Sequence, residues 1–499
     1  MTNVPKSGAP AARETLVGSN EKTPRPHASN SSDFLRFDIR FAIVQSATIA
    51  VCAVHPYAPA AIIAACGVAI LVSPYRALQA LALLAVVRYL NPTLVQEDSA
   101  VTVLNFLVFV AAGIRYGPSL IFQLPPTGVP LLCFVIFTLI AAPIASPLPT
   151  VSIMKVLYFA IGGFVLLSAA ASISTEERAR ISVWYFNLVI VVVILSAPLV
   201  LIPDIGFLGN NGGFRGILQH SQGFGVFLSP LCSAIMIAFL FSSGRSLSLG
   251  TVLLALVLLI ILSQTRTAAL AVALSVVLVS LLLMFRRNRS GQRSHRPRAI
   301  IIGITLLLAA VGLTAIVPQV RDAVVDFTLK RGEGTVKEAL VRGRMYGAAG
   351  QLDNFLASPA IGHGFGVSPF AEANTKVVKF YGIPISAPVE KGFLPTAILE
   401  EVGLIGAALF LWWLAAATRL VAKGQTGIFE ALFAAALFVN AGEYIFFAMN
   451  SLGLLNLLLI SLAIADGQTI QATKRTRPGR NSTVEQATSY PSFTESPHG

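Results

Sequence analysis

The sequence predicts an all-α, polytopic transmembrane bundle of about 12–14 spans with one large, partly helical outer loop. Three observations carry that reading. Apolar residues make up 55% of the 499 and charged residues only 12%, against about 25% charged in soluble chains. The apolar residues come in runs near membrane length, joined by short connections. One stretch breaks that rhythm: residues 318–391 form a polar insert with nine basic side chains between two long apolar runs.

The elements follow in chain order. Residues 1–38 are rich in Ser, Pro, Ala and Asn with scattered charge and read as a disordered tail. No basic region with a short apolar core and a cleavage site opens the chain, so insertion is expected to rely on the spans. The first part of the bundle, 39–317, holds candidate spans at 41–54, 57–73, 76–90, 100–114, 129–146, 152–174, 182–202, 223–243, 247–263, 267–285 and 299–317. His55-Pro56 marks either a connection or a kink within one longer element. After the insert, the second part of the bundle, 392–465, holds spans at 392–418, 428–448 and 451–465. Residues 466–499 resemble the N-terminal tail in composition and read as disordered. Cys52, Cys66, Cys133 and Cys232 lie inside apolar runs at spacings that fit no metal site, and read as small buried hydrophobes.

Charge sets the expected orientation. Arg286, Arg287, Arg289, Arg293, Arg296 and Arg298 crowd one short linker, which should stay in the cytoplasm. Alternating outward from it places Arg36/Arg40, Arg76, Arg115, Arg178/Arg180, Arg245, Arg419/Lys423 and Lys474/Arg475 on the same side, with both termini. The insert 318–391 and the connections near 91–99, 204–222 and 264–266 then face outward. The net charge of +13 is spread over loops and tails, which points to membrane edges and away from nucleic acid.

Against that rule stand Arg88, Arg215, Arg266, Arg342 and Arg344 on the disfavoured side, with Glu400, Glu401 and Glu443 at similar depth. A lone arginine there would snorkel to headgroups; several together suggest a shared anionic site, with phosphate the obvious ligand. In the insert, Thr335-Val-Lys-Glu338 matches a capping box opening a helix that runs to about Leu356 and stops at Ser358-Pro359. Arg342 and Arg344 lie about 200° apart on it, and Arg344 shares a face with Gln351. Gly362-His363-Gly364-Phe365-Gly366 lacks the strand and helix of a nucleotide-binding loop, so its glycines read as sites of positive φ or close backbone approach. His363 is a candidate base or a structural residue. Glu400 and Glu401 should point about 100° apart, leaving one of them to face a site. Gly403 and Gly406 suggest close helix packing. The stretch 211–222, with Arg215 and His220, enters a span like a binding loop.

Together these pieces resemble the O-antigen ligase and O-antigen/exopolysaccharide polymerase superfamily over about residues 200–415. The resemblance rests on Phe214-Arg215-Gly216 with His220 after it, Ser263-Gln-Thr-Arg266-Thr, Gly343-Arg344, Pro359-x-x-Gly362-x-Gly364 and Glu401-x-Gly403-x-x-Gly406. It implies a polytopic helical protein that transfers glycans from undecaprenyl diphosphate on the outer face of the bacterial inner (cytoplasmic) membrane. Ligases of that family carry a histidine just before the last motif; here the place reads Glu390-Lys391-Gly392. An Arg-x10-Gly pattern of some polymerases is also absent, since Val226 and Asp353 stand eleven positions after Arg215 and Arg342.

The expectation is therefore a polysaccharide polymerase. Arg215, Arg266 and Arg344 would bind the diphosphate, with Arg342, Lys391 and His220 as further substrate contacts. Glu401 would act as general base, with Glu390, Glu400 and His363 as other catalytic candidates. No metal or other cofactor is expected, because no Asp-x-Asp, histidine cluster or phosphate-binding loop occurs. Expected partners are the lipid bilayer, the lipid-linked glycan, and a chain-length regulator and flippase of an export system. Alternatives are a ligase to another acceptor, a transporter or flippase of lipid-linked glycans, and a non-catalytic assembly partner. Against a transporter stands the absence of repeated halves with broken helices at matching places.

Overall fold

The computed structural model describes residues 34–95, 99–122, 126–207, 212–241, 247–289, 346–367, 377–386, 391–424, 426–449 and 451–475. It is an all-α bundle. In chain order the helices are α1 Ile39–Val54, α2 Ala58–Val72, α3 Pro74–Val87, α4 Ser99–Phe122, α5 Gly128–Ala145, α6 Pro149–Ser172 and α7 Thr175–Ser196. The one-turn α8 Pro203–Gly206 follows, then α9 Ser221–Phe241, α10 Leu247–Leu262, α11 Arg266–Arg289, α12 Tyr346–Ala357, α13 Leu394–Val421, α14 Ile428–Gly442 and α15 Leu452–Arg475.

Eight of these are long and apolar enough to cross a membrane, and five further apolar helices have 10–17 residues. Each span expected from the sequence has its helix, apart from 299–317, which lies outside the described residues. Local chemistry explains many starts. Proline occupies the first turn of α2, α3, α6 and α13, where its missing N–H costs nothing. α7 opens on a capping box: Glu177 N donates to Ser174 Oγ at 3.2 Å and Ser174 N to Glu177 Oε2 at 2.9 Å. α9, α6 and α15 are the most enclosed spans and form the interior, whereas α4 and α11 show most of their surface outward.

The two ends of the bundle differ in chemistry. At one end Arg286 of α11 pairs with Glu430 of α14 at 2.8 Å and donates to the carbonyls of Ala422 and Gly424 after α13. Arg178 near the start of α7 donates to Thr469 late in α15 at 3.0 Å. The starts of α7 and α14 and the ends of α11, α13 and α15 thus group as strict alternation requires. The opposite end gathers the starts of α9, α11 and α13 with the 358–367 loop.

Four details depart from the sequence reading. His55 and Pro56 separate two helices rather than kinking one, because the chain turns at Pro56-Tyr57 before α2 starts. The insert holds an antiparallel hairpin, β1 Val378–Phe380 with β2 Ile383–Ser386, turning on Tyr381 and Gly382 at φ 47° and 81°. α14 stops at Gly442, so 443–449 is irregular chain and not the end of a span. At the tails, Phe34 and Leu35 are buried, Phe34 against Phe429, and α15 runs past Asp466 to Arg475, tied by Arg178. The capping box at 335–338 lies outside the described residues, but α12 does end just before Ser358-Pro359.

Candidate active site

The site begins with a broken helix. Gly403 inside α13 has φ 63° and ψ −168°, a conformation open to glycine and costly to other residues. The break frees backbone groups that the 358–367 loop satisfies. His363 N donates to Glu400 O at 2.8 Å, Gly364 N to Glu401 O at 2.9 Å, and Leu404 N to Pro359 O at 2.8 Å. Irregular backbone at membrane depth persists only when protein supplies such partners. A Cβ on Gly362 would collide with the Glu401 carbonyl, and one on Gly403 with the Ala360 carbonyl. The two glycine motifs are therefore one interlock. Gly406 alone serves helix packing, its missing Cβ leaving room 2.9 Å from Phe137 of α5. Phe365 pins the loop from beneath, with ring centroids 4.8 Å from Phe447 and 5.7 Å from Phe159.

Above that floor lies a buried ion cluster. The two carboxylates expected to diverge both meet Lys391, whose Nζ is 2.8 Å from Glu400 Oε2 and 3.0 Å from Glu401 Oε1. The long lysine enters from the connection before α13 and reaches between them, which rotation about the helix axis alone does not foresee. Asn354 Nδ2 of α12 donates to Glu400 Oε1 at 2.7 Å. Glu401 accepts from Gly366 N at 2.8 Å and from the Tyr444 hydroxyl at 2.5 Å. Lys155 of α6 donates to Gly366 O at 2.6 Å, adding a second ammonium to the group. Side-chain exposure is 3% for Lys391, 2% for Glu400 and 0% for Glu401, so the charges neutralise one another away from water. Burial and the Glu401 carboxylate push the Tyr444 phenol well above its ordinary pKa, keeping it a donor.

This geometry bears on two of the expected site residues. Glu401 is enclosed by three donors and holds the glycine loop, Lys391 and Tyr444 in register. Lys391 is engaged by both carboxylates and by Val367 O at 2.8 Å. Glu400 belongs to the same lock. His363 Nε2 lies 2.7 Å from Asn354 O, which ties the loop to α12. Glu390, Arg342 and Arg344 lie outside the described residues.

The arginine motifs sit on the same end. Arg266 opens α11, and Thr267 beside it donates to Glu443 Oε1 at 3.1 Å. Glu443 directly precedes Tyr444, so the α11 start and the ion cluster meet through two consecutive residues. Thr265 donates to Ser221 O at 3.0 Å, and Phe214 N to Leu262 O at 2.9 Å, which joins the Arg215 loop to the same junction. Gly225 of α9 is the seat for Thr265, since a Cβ there would lie 2.5 Å from the Thr265 Cβ. Arg215 is buried, with Nε on Ile205 O at 3.0 Å. His220 is exposed just before α9. The described motifs thus form one continuous network at one end of the bundle.

Lys155, Asn354 and Tyr444 escaped the sequence reading. Lys155 carried a signal: it is a lone ionisable residue inside an apolar run, which marks a site by default. Asn354 and Tyr444 carried none, since their partners are far away in sequence. Among the described residues no group of three or more His, Cys, Asp or Glu is arranged to hold a metal ion.

Residues 250–411 match the family model described as O-antigen ligase. No curated protein matches the chain. The matched stretch contains the Arg266 motif, the glycine loop and the broken helix, and it supports the superfamily that those motifs resemble. Glycan processing of the ligase or polymerase type follows in general terms from that match.

Proposed function

We infer, from the O-antigen ligase-type domain at residues 250–411, that this chain is a polysaccharide polymerase. It moves oligosaccharide repeat units from undecaprenyl diphosphate onto a growing surface polysaccharide at the outer face of the bacterial inner membrane, with both termini in the cytoplasm. The carrying observation is Lys391. Where the resembled ligases have a histidine, this chain has Lys391, which two buried carboxylates hold within the protein and away from an acceptor.

An acceptor sugar hydroxyl attacks the anomeric carbon of the donor. The bond from that carbon to the diphosphate oxygen breaks, and its electron pair leaves on undecaprenyl diphosphate. Arg215 and Arg266 stabilise the departing charge, with Arg342 and Arg344 of the insert as further contacts. The hydroxyl proton passes to a carboxylate. Glu443, half-buried beside Arg266-Thr267, takes the place expected for Glu401. The donor is already activated, so no nucleotide is needed. A flippase would supply the lipid-linked unit and a chain-length regulator would set the product.

Purified protein in lipid, given undecaprenyl-diphosphate-linked repeat units alone, should lengthen them and release undecaprenyl diphosphate without ATP. Growth only after addition of lipid-A core would replace polymerase by ligase. Movement between leaflets at constant length would make the protein a transporter.

A further inference from the structure

α12 runs beside α13 in the same direction. The contacts step together along the two helices. The Thr396 hydroxyl donates to Gln351 Oε1, and Asn354 Nδ2 donates to Glu400 Oε1 at 2.7 Å. Past the end of α12, Leu404 N donates to Pro359 O at 2.8 Å and Ile405 N to Ala360 O at 3.3 Å. α13 has 28 residues and is long and apolar enough to cross a membrane. At 1.5 Å per residue it measures ~42 Å, so about 6 Å of each end overhangs a hydrocarbon core of about 30 Å. Leu404 comes ten residues after the first residue of α13, Leu394. It therefore lies about 15 Å from that end and about 9 Å below the core boundary. The end of α12 and the loop after it share this depth, although they belong to the polar insert.

The side of α12 turned away from α13 is largely apolar. Leu352 and Leu356, one turn apart, are 44% and 65% exposed, and Ala357, Pro359 and Ala360 are exposed beyond them. This surface runs on into Leu404 and Ile405 of α13, 56% and 48% exposed, because the two backbone bonds seat Pro359 and Ala360 on these residues. A single exposed leucine needs no explanation, whereas a stripe that joins the face of a span does. Asp353 is the only charge in α12. It is level with Glu400, about 3 Å below the boundary, where a carboxylate still reaches headgroup water. The loop backbone at depth is satisfied inside the protein, since His363 N and Gly364 N take the carbonyls of Glu400 and Glu401. Irregular chain inside a bilayer requires that condition.

We propose that residues 346–367 are a re-entrant element. α12 descends into the bilayer beside α13 with Leu352 and Leu356 against lipid hydrocarbon, and the glycine loop turns the chain back at depth. Acyl chains are the occupant of the stripe, because it is one edge of a face that already spans the core. The proposal does not depend on the polymerase reading. It changes what bounds the candidate site: Gln351 and Asn354, on the other side of α12, hold Thr396 and Glu400, so lipid lies one helix away from the ion cluster.

The test measures depth. With the native cysteines replaced, nitroxide labels are attached to Leu352→Cys, Leu356→Cys and, as the hydrocarbon reference, Leu411→Cys on α13, where the parent leucine is 62% exposed. Substitution at such surface positions should leave the melting curve unchanged. In nanodiscs of phosphatidylethanolamine and phosphatidylglycerol, collisions with oxygen, which concentrates in hydrocarbon, are compared with collisions with a nickel chelate confined to water. Free nitroxide in buffer is the water reference. The oxygen-to-nickel ratio at Leu356→Cys should exceed that of the free label severalfold and approach that of Leu411→Cys. Leu352→Cys, about 6 Å higher on a descending helix, should fall between the references. Nickel-dominated collisions at Leu356→Cys would place α12 in water and overturn the proposal. Equal ratios at Leu352→Cys and Leu356→Cys would show a helix lying flat in the interface and overturn the descent. Protection of Leu356→Cys from both reagents would show a second protein chain over the stripe and overturn lipid as its occupant.

Discussion

At the residue scale, the ion cluster concentrates the energetics. Lys155 and Lys391 balance Glu400 and Glu401 in a setting nearly without water. Removing one partner of such a group leaves a charge stranded, at a cost of about 3–5 kcal/mol. Lys391→Met should therefore lower the melting temperature sharply, and Glu400→Gln on top of it should recover part of the loss. A lone Lys391→Met that melts like the parent protein would show the ammonium to be dispensable. Tyr444→Phe removes the 2.5 Å bond to Glu401, worth roughly 1.5–3 kcal/mol for a charged acceptor. The sign of its pH dependence follows from the raised phenol pKa. The stabilisation is complete below the ordinary tyrosine value of about 10 and is lost as pH rises through the higher folded value. Melting curves of the parent should lose stability above that pH more steeply than those of Tyr444→Phe.

At the element scale, the decisive feature is a helix that stops and restarts. The glycines at 362 and 364 were legible as positions of positive φ or close backbone approach, whereas Gly403, expected like Gly406 to serve helix packing, carries the break itself at φ 63°. Their partners were not legible: that Gly362 lies on Glu401 and Gly403 on Ala360 is a tertiary fact with no local pattern. The same holds for Glu400 and Glu401, whose divergence follows from helix geometry until a long lysine reaches both. The hairpin at 378–386 is short, and its turn on Tyr381 lacks the usual Asn-Gly signal. Gly403→Ala should cost roughly 1–3 kcal/mol for its φ alone. The collision with Ala360 adds to that and should loosen the 358–367 loop. Proteolysis within that loop, slow in the parent and fast in Gly403→Ala, is the expected readout. Leu404→Ala, 56% exposed on the same helix, should leave it slow.

At the scale of the whole molecule, the spans were the most legible part, since membrane thickness fixes their length and composition in every segment alike. Their expected direction follows from charge, and the structure shows which helix ends lie together. Arg178, Arg286 and the α13 terminus gather at one end of the bundle, while the glycine loop, Arg215 and Arg266 gather at the other. Arginines at the first end tie helix ends together. At the second, which charge assigns to the outer side, they would break the positive-inside trend and lie among the motifs of the proposed site. This assignment predicts which exposed positions each side of the membrane can reach. Tyr381 at the hairpin tip is 91% exposed, and Leu247 at the start of α10 is 89% exposed. With the native cysteines replaced, a membrane-impermeant maleimide should label Tyr381→Cys in intact spheroplasts and Leu247→Cys only after permeabilisation. The reverse pattern would put the site in the cytoplasm, where an undecaprenyl-diphosphate donor could be met before export, and would remove the outer-face polymerase reading while leaving the fold unchanged. Labelling of both positions in intact spheroplasts would show a leaky preparation, which a cytoplasmic reporter enzyme identifies in the same sample.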